Sequence, residues 1–482
     1  MKKIDKIIEL PKNINEDVEF IGRIGARREQ GKITFIEVGD SSGTIQVVFP
    51  PDKRELYEKA KEISREEFKR PSISSIQGTV RIRPKGMENP GLVETGGIEV
   101  KAINLEILDS EKPSPIPLDT DGYEIEEEVR LKYRYLDLRR KRLQKNLRLR
   151  HQIIKSIRDY LNKEGFIEVE TPILTKSTPE GARDFVIPSR LHSGRFYALP
   201  QSPQQYKQLL MVADVEKYFQ VARCFRDEDT RGDRQPEFTQ LDMEMSRIKE
   251  ERDIMDLIEK LMIEVVGQVE DKKISQKPFP VFSYQEAISK FGADKFDLRK
   301  NKDDKNELAF AWVINPPFFE KSKEGEWTFT HNPFSASFLD RKRGFGDWLD
   351  ESLRGVLKDS DMANIKAAQY DLVLNGFEIG GGSIRNINVG VLVRVFQILG
   401  YSKEKIQRDF QHMIEAFNYG VPPHGGIALG LDRLVMILVN EPNIREVIAF
   451  PKTGDARDPM MDSPSEIDRK QLKELGLEIK KK

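Results

Sequence analysis

Between Asp17 and Phe49 apolar and polar residues alternate in three short runs, DVEFIGRIGA, KITFIEVGD and TIQVVF, separated by Gln30-Gly31 and by Asp40-Ser41-Ser42-Gly43. Alternation with a period of two, broken by turn residues, predicts a meander of strands. Over 52–69 the spacing becomes helical, with Leu56, Ala60, Ile63 and Phe68 on one side. Two more strand-like runs follow, SSIQGTVRIR and GIEVKAINLEIL. Three strands, a helix and two strands fit a small five-stranded barrel of the OB type, a fold that commonly binds oligonucleotides on one face.

The stretch SEKPSPIPLDTDG (110–122) holds Pro113, Pro115 and Pro117 and sustains neither a regular helix nor a central strand, so a boundary is placed there. The expected layout is a barrel over 1–109, a linker over 110–135 and a second domain over 136–482. That domain opens with a long helix whose apolar stripe is Leu143, Leu147, Ile154, Ile157 and Leu161. Its polar side, within LDLRRKRLQKNLRLR, lines up Arg139, Arg140, Lys141, Arg142, Lys145, Arg148 and Arg150. Such a run is either a solvated helix face or a contact for a phosphate backbone. The helix stops at Glu164-Gly165, and FIEVETPIL reads as a strand ended by Pro172. Further on, hairpin-like pairs outnumber strand-helix-strand units. The expected class is α+β, with a mostly antiparallel sheet flanked by helices behind the barrel.

In KYFQVARCFRDE (217–228) the residues Tyr218, Gln220, Ala222, Cys224, Arg226 and Glu228 share one face, opposite Phe219, Val221 and Phe225. In EFTQLDMEMS (237–246) Phe238, Gln240, Asp242 and Glu244 lie opposite Leu241, Met243 and Met245. One face is core. The other is either wet or, if covered, needs partners for its polar groups. The connecting turn gathers Arg226, Asp227, Glu228, Asp229, Arg231, Asp233, Arg234 and Glu237, which alone would read as a solvated hairpin tip. Two other stretches offer matching groups. GGIALGLDRLVMIL (425–438) is a glycine-rich strand turning at Gly430 into a helix, with Arg433 in the first turn. The helix dipole disfavours a cation there, which suggests an anionic or aromatic partner. DLVLNGFEIGGGSIR (371–385) sets Asp371 and Glu378 before three glycines that let a backbone approach a ligand closely, with Arg385 beyond.

Length and charge narrow the picture. A chain of 482 residues is expected to form two or three domains. Its 79 basic residues nearly cancel 80 acidic ones, so any nucleic-acid surface must be a local patch. Cys224 is the single cysteine, which excludes an internal disulfide and suits a reducing compartment. No signal-like apolar stretch follows the lysines of MKKIDKIIELPKN, and nowhere do 18 apolar residues run together. The expectation is a soluble, cytoplasmic protein with no membrane partner.

Pro172 after a long helix, FRDE with EFTQLDMEMS, and GLDRL resemble the three signature motifs of the class II aminoacyl-tRNA synthetases. Within that class TPEGARDF, PQSPQQYKQLLM, FEIGGGSIR, HGGIALGLDRL and AFPKTGDARDPM are similar to the bacterial aspartyl-tRNA synthetases, and the resemblance runs over nearly the whole chain. It implies ATP-dependent formation of aspartyl-adenylate from L-aspartate and transfer to the end of tRNA(Asp), with tRNA(Asn) left open as a second substrate. It also implies a homodimer joined through the first motif, and Mg2+ on the phosphates. Arg226 and Arg433 are the implied catalytic cations, Arg226 on the α-phosphate and Arg433 over adenine and the γ-phosphate. Glu228, Gln235 and Phe238 belong to the ATP site, with Phe238 stacked on adenine, and Asp371 and Glu378 hold the metal. Lys207 and Arg385 clamp the aspartate side chain. Gln204 and Asp242 set the amino end, Glu180 sits in a closing loop, and His331 matches a pocket histidine. Arg231 and Arg234 at the loop tip are implied tRNA contacts. In the barrel Phe35 and Gln46 fall where the family reads the anticodon, with Phe35 stacking on a base and Arg27 and Arg28 beside them; from its own pattern Phe35 reads as barrel core.

Two unneutralised buried cations would reject asparagine, since an amide leaves them unpaired at a cost of roughly 3 to 5 kcal/mol. This speaks against an asparaginyl enzyme. The set of phosphate ligands speaks against a non-catalytic RNA-binding relative, and the N-terminal barrel against an amide-forming one. The chain departs from the family in two places. The large domain usually inserted between the second and third motifs is reduced to a short charged loop near 292–310, and Gln30 is neither residue usual at the position that tracks the choice between tRNA(Asp) and tRNA(Asn).

Overall fold

The computed structural model describes residues 1–62, 73–92, 94–109, 114–118, 120–177, 180–230 and 232–480. Ile63, Phe68, Pro113, Thr178, Pro179 and Arg231, to which roles are given above, lie outside the described residues. The chain forms two compact units, Met1–Gly122 and Tyr123–Lys482.

The first unit is a closed five-stranded barrel. Strands β1 (Asp17–Gln30), β2 (Ile33–Gly39), β3 (Thr44–Phe49), β4 (Ile73–Ile82) and β5 (Ile98–Asp109) pair in the cyclic order β1-β2-β3-β5-β4-β1. Helix α1 (Arg54–Glu62) sends Leu56 and Ala60 toward a core built from Val18, Phe20, Ile36, Val38, Ile45, Val47, Ile76, Val80 and Val100. These are the alternating positions of the sequence, so the period of two directly supplies the interior of the barrel. Strand β1 runs on to Gln30 rather than ending near Ala26. A register shift between Ile24 and Arg27 lets the ladder resume, and Gly31, at φ 62°, makes the turn.

The second unit is built on an eight-stranded sheet. Its strands are β6 (Ile167–Glu168), β7 (Lys217–Phe225), β8 (Glu237–Ser246), β9 (Val281–Ser283), β10 (Phe310–Ile314), β11 (Gln369–Leu374), β12 (Phe377–Ile384) and β13 (His424–Gly430). The order across the sheet is β9-β10-β11-β12-β13-β8-β7-β6, antiparallel except at the two edge pairs. Helices α2 (Lys141–Lys163), α3 (Gln204–Val212), α4 (Arg252–Gly267) and α5 (Leu431–Leu438) surround the sheet. Leu241, Met243, Ile427 and Leu429 form its apolar face, and α2, α4 and α5 contribute Ile153, Ile157, Ile258, Leu261, Leu434 and Val435 to the same core.

The long helix corrects the predicted stripe. Its buried face is Leu143, Asn146, Leu149, Ile153, Ile157 and Leu161, whereas Leu147 and Ile154 are only partly covered. Asn146 takes an inward position because its amide donates to Glu441 Oε1 at 2.6 Å and to the Glu446 carbonyl at 3.2 Å. The basic run divides: Lys141, Lys145 and Arg148 are exposed, as on a solvated face, whereas other arginines turn inward. Arg142 bonds Glu441 at 2.6 Å and Glu446 at 2.9 Å, Arg150 bonds Asp432 at 2.5 Å, and Arg140 bonds Asp137 at 2.6 Å. Arg130 and Arg134 converge on the same Asp137, which is fully buried. Arg142 and Arg150 are struts that join the helix to the segment after α5 and to α5 itself, while Arg130, Arg134 and Arg140 gather on Asp137 just before the helix.

Burial opposes the charges of Asp137 and Glu446, but hydrogen bonds from the arginines outweigh it and hold both carboxyls below their ordinary range. A depressed carboxyl stabilises the fold above its unfolded value and loses that contribution as the pH falls through the folded one. The second unit should therefore lose stability as the pH drops below about 4. Asp137→Asn should lower unfolding free energy by about 3 to 5 kcal/mol at pH 7 and flatten the acid limb. Chemical denaturation across pH measures both; an unchanged midpoint in the variant would remove the network from the stability of this unit.

Candidate active site

Over the polar face of the central strands lies a cavity of about 500 Å³. The ladder sets its floor: Gln220 faces Asp242, Glu244 faces Gly426, Gly381 faces Ala428, and Asp371 faces Gly381. This is the predicted covered face, not a wet one, since Asp242 and Glu244 are both fully buried. Every catalytic-domain side chain picked from the sequence lines the cavity. Lys207, Asp242 and Arg385, with Glu180 and Gln204, form one part of the lining, Arg226, Glu228, Gln235, Phe238, Asp371, Glu378 and Arg433 the other, and His331 lies beside Asp371.

At the first end two cations converge on one carboxylate. Arg385 Nε donates to Glu244 Oε1 at 2.8 Å and Nη2 to Oε2 at 3.0 Å, while Lys207 Nζ lies 3.3 Å from Oε2 and donates to Asp242 Oδ1 at 2.7 Å. Burial works against Glu244, but Arg385 and Lys207 hold its carboxyl below the ordinary range; burial dominates for Asp242, whose carboxyl is raised. This overturns the argument from two unneutralised cations, because two carboxylates already balance them. What remains is a set of donors. A guanidinium has five N–H groups, of which Glu244 takes two and Ser383 Oγ one, at 2.7 Å; an ammonium has three, of which Lys207 gives one to Asp242 while it pairs by charge with Glu244. Asp242 Oδ2 is buried without a hydrogen-bond partner among the described residues. Glycine makes the arrangement possible: a Cβ on Gly426 would overlap the Glu244 carboxylate.

Gln204 donates to Gln208 Oε1 at 3.0 Å and accepts from Asn332 at 3.3 Å, and Glu180 accepts from Ser202 Oγ at 2.5 Å. His331 Nδ1 stands 4.0 Å from Asp371, and burial lowers its pKa, so the ring is neutral at pH 7.

At the other end the guanidinium carbon of Arg226 lies 5.0 Å from the centre of the Phe238 ring, and Glu228 faces Arg234 at 3.8 Å. Arg433 finds the anionic partner that its place on α5 suggested: it bonds Asp233 at 2.9 Å and donates to the carbonyl of Glu378. Gln235 lines the cavity, but both ends of its amide are engaged by the backbone of Lys452, at 2.7 and 3.1 Å. Asp371 and Glu378 form an acidic pair. Burial and the charge of Glu378 push the Asp371 carboxyl well up; burial opposes the charge of Glu378 too, but Lys295 at 2.8 Å brings its carboxyl down. Of the three glycines only Gly381 faces this pair, where a Cβ would stand 2.7 Å from Asp371 Oδ1. Gly380 and Gly382 are required by the neighbouring strand and by Tyr370.

On the barrel, Phe35 is half-buried on the outer face, opposite Arg28 across the ladder, so its reading as core does not hold. Gln46 pairs with Glu37 in register and donates to Glu99 at 3.1 Å; Arg28 bonds Glu37 at 2.6 Å, and Gln30 is exposed two residues along from Arg28. Arg27 turns away from this face, with its guanidinium on the carbonyl of Lys61 at 2.7 Å, because the register shift before it reverses the alternation. The structure therefore brings Arg28, Gln30, Phe35 and Gln46 together and separates Arg27 from them.

Sequence reasoning missed Glu244, Asp233 and Lys295 as members of the site. Alternation put Glu244 on the correct face, and that signal was sufficient to include it. Lys295 carried none, since it belongs to a segment legible only as a charged loop.

A profile of tRNA synthetases class II (D, K and N) matches residues 126–454, and one of the OB-fold nucleic acid binding domain matches residues 18–108. An aspartate-tRNA(Asp/Asn) ligase of Halothermothrix orenii is 39% identical, covering 97% of this chain and 96% of that one. Another of the same name, from Thermodesulfovibrio yellowstonii, is 38% identical with 97% of each covered. The first alignment spans 591 positions, more than the 482 residues here, so that relative carries positions this chain lacks. Among solved structures, asparaginyl-tRNA synthetase from Pyrococcus horikoshii complexed with asparaginyl-adenylate superposes with a TM-score of 0.71 at 23% identity, covering 94% of this chain and 98% of that one, a likeness of fold.

The overlap at residue 426 is testable without any ligand. Gly426→Ala should cost about 1 to 3 kcal/mol by overpacking. Gly454→Ala, where nothing lies within 4 Å, should be near neutral. Equal unfolding midpoints for the two variants would show that Glu244 is not fixed as described.

Proposed function

The chain belongs to the class II tRNA synthetases of the D, K and N group, and from that premise we propose that it is an aspartate-tRNA ligase, joining L-aspartate to tRNA with conversion of ATP to AMP and pyrophosphate. One observation carries the choice of amino acid: Lys207 and Arg385 meet on Glu244 at a cavity wall, and the N–H groups they do not use are donors for a ligand's side-chain carboxylate. A carboxylate accepts from all of them. The amide of asparagine would turn its own NH2 against a donor, and a buried donor left without an acceptor costs about 1 to 3 kcal/mol. The unpartnered Asp242 Oδ2, with Gln204 beside it, receives the α-ammonium; Glu180 and His331 close this end.

In the first step an oxygen of the aspartate α-carboxylate attacks the α-phosphorus of ATP. A new O–P bond forms as the bond to pyrophosphate breaks. The protein positions and neutralises: Arg226 on the α-phosphate, Arg433 on adenine and the outer phosphates, Phe238 on the other face of adenine, Glu228 toward the adenine. Binding ATP requires Arg226 to share or leave the ring of Phe238 and Asp233 to give up Arg433. Gln235, held on Lys452, serves by fixing the segment 451–454 against the nucleotide. In the second step a hydroxyl at the tRNA end attacks the activated carbonyl, and AMP leaves. Arg234 is on the side of the incoming tRNA.

The Asp371–Glu378 pair suits Mg2+. Two adjacent oxygen ligands, one of them buried and with its carboxyl raised by burial and by its neighbour, are the sparse protein set this ion accepts when phosphates complete its shell. When bound, the ion neutralises charge on the triphosphate.

The barrel face of Arg28, Gln30, Phe35 and Gln46 reads the anticodon of tRNA(Asp), by stacking on Phe35 and hydrogen bonding around it. The protein works in the cytoplasm as a homodimer. Ile167, Ile173, Leu174, Val186 and Phe196 are exposed apolar residues on and after the edge strand β6, a patch that a second copy would cover. No helix among the described residues is long and apolar enough to cross a membrane. We place the positions missing relative to the relatives in the loop near 292–310.

The deciding experiment charges tRNA(Asp) and tRNA(Asn) with each amino acid. Aspartate should be joined to tRNA(Asp) and asparagine to neither tRNA; asparagine on tRNA(Asn) would replace this reading with an asparaginyl one. Arg385→Ala should abolish aspartate-dependent pyrophosphate exchange while ATP binding, followed by calorimetry, persists. Phe35→Ala should leave the exchange intact and lower kcat/KM for tRNA by about fivefold or more, through loss of about 1 to 3 kcal/mol of stacking; unchanged charging would take the barrel out of recognition.

A further inference from the structure

Glu378 is held from two sides. Arg433 donates to its carbonyl, and Lys295 meets its carboxylate at 2.8 Å. Lys295 is not on the sheet. It stands in the loop after the helix Tyr284–Phe291, between Gly292, which ends that helix at φ 74°, and Phe296, whose side chain is buried with Ala287, Ala311, Val313 and Val373. The Phe296 carbonyl accepts from the N–H of Gly376, in the turn from β11 to β12 that leads to Glu378. A packed ring and a main-chain bond therefore fix the loop against the strand. The lysine's reach into the cavity is set by the fold.

An exposed ion pair is worth little by itself. Here the carboxylate belongs to a pair whose second member, Asp371, is buried, and two adjacent carboxylates need a cation close by. Lys295 is the chain's own cation for that need, while its side chain remains half exposed to the cavity. The opposite sign is treated the same way 200 residues apart in the chain: Asp233 occupies Arg433, a cation that phosphate would claim. A cation on a long flexible stem can change partners without moving the backbone that carries it.

We propose, resting on the reading of this cavity as an ATP site, that Lys295 is an exchangeable counter-cation of the triphosphate end: it holds Glu378 until a divalent cation arriving with ATP takes the carboxylates, and then turns to the outer phosphates and the departing pyrophosphate. Its role is at the leaving group, distinct from that of Arg226 at the α-phosphate. Its ion pair is with Glu378 and not with the Lys207, Asp242, Glu244 and Arg385 cluster.

The test compares the full-length protein with Lys295→Met and Lys295→Arg. In pyrophosphate exchange, Lys295→Met should raise KM for pyrophosphate and for ATP about tenfold, as expected for one lost charge-assisted contact, and leave KM for aspartate unchanged. Lys295→Arg should recover most of the loss. Without nucleotide, Mn2+ binding followed by electron paramagnetic resonance should be several-fold tighter in Lys295→Met, because the ammonium no longer competes for Glu378. An unchanged KM for pyrophosphate, an equal rise in KM for aspartate, or Mn2+ binding no tighter than in the unaltered protein would each overturn the proposal. If the unaltered protein itself gives no aspartate-dependent exchange, the reading of the site as an aspartate-activating one fails, and the Mn2+ comparison still decides whether Lys295 competes for the carboxylates.

Discussion

Two carboxylates without water, Asp242 and Glu244, determine how the rest of the second unit is arranged. Charges removed from solvent must be matched by opposite charges and by hydrogen bonds at every remaining lone pair. Lys207 must therefore come in from α3, and Arg385 from the end of β12. Glu244 needs a neighbour with no side chain, which is Gly426 on β13. A strand, two other strands and a helix are thus placed by one electrostatic requirement. The balanced quartet leaves N–H groups of Arg385 and one oxygen of Asp242 without partners, in residues that line the cavity.

The same rule operates away from the cavity. Asp137 and Glu446 tie four arginines, Arg130, Arg134, Arg140 and Arg142, into a single buried lattice, so much of a stretch with the composition of a polyanion-binding helix is spent on internal architecture. Count of charges does not distinguish the two uses. The distinction lies in partners contributed some 300 residues later in the chain, at 441 and 446.

What was legible followed local physics. Period-two alternation yielded the barrel strands and sorted β7 and β8 into an apolar and a polar face, and the resemblance selected side chains that all reach one cavity. What was not legible depended on neighbours distant in sequence. Phe35 has the hydrophobicity of a core residue and sits outside because the register with Arg28 puts it there. Arg27 and Arg28, being consecutive in a strand, face apart, and a register shift that no residue type announces decides which of them joins Phe35. Gln235 looks like a ligand contact until Lys452 is seen to engage both ends of its amide. Three consecutive glycines suggest one role, and the neighbouring strand divides them into two. Lys295 sits in a loop without periodicity, so only the packing of Phe296 reveals where it reaches.

The wide sheet of the second unit ends on both sides in very short strands, β6 with two residues and β9 with three, each paired in parallel. A long bare edge is a template on which foreign chains can add as extra strands. Stubs of this length present only a few unclaimed backbone groups, so an eight-stranded surface keeps its breadth for chemistry without inviting cross-β polymerisation along its margins.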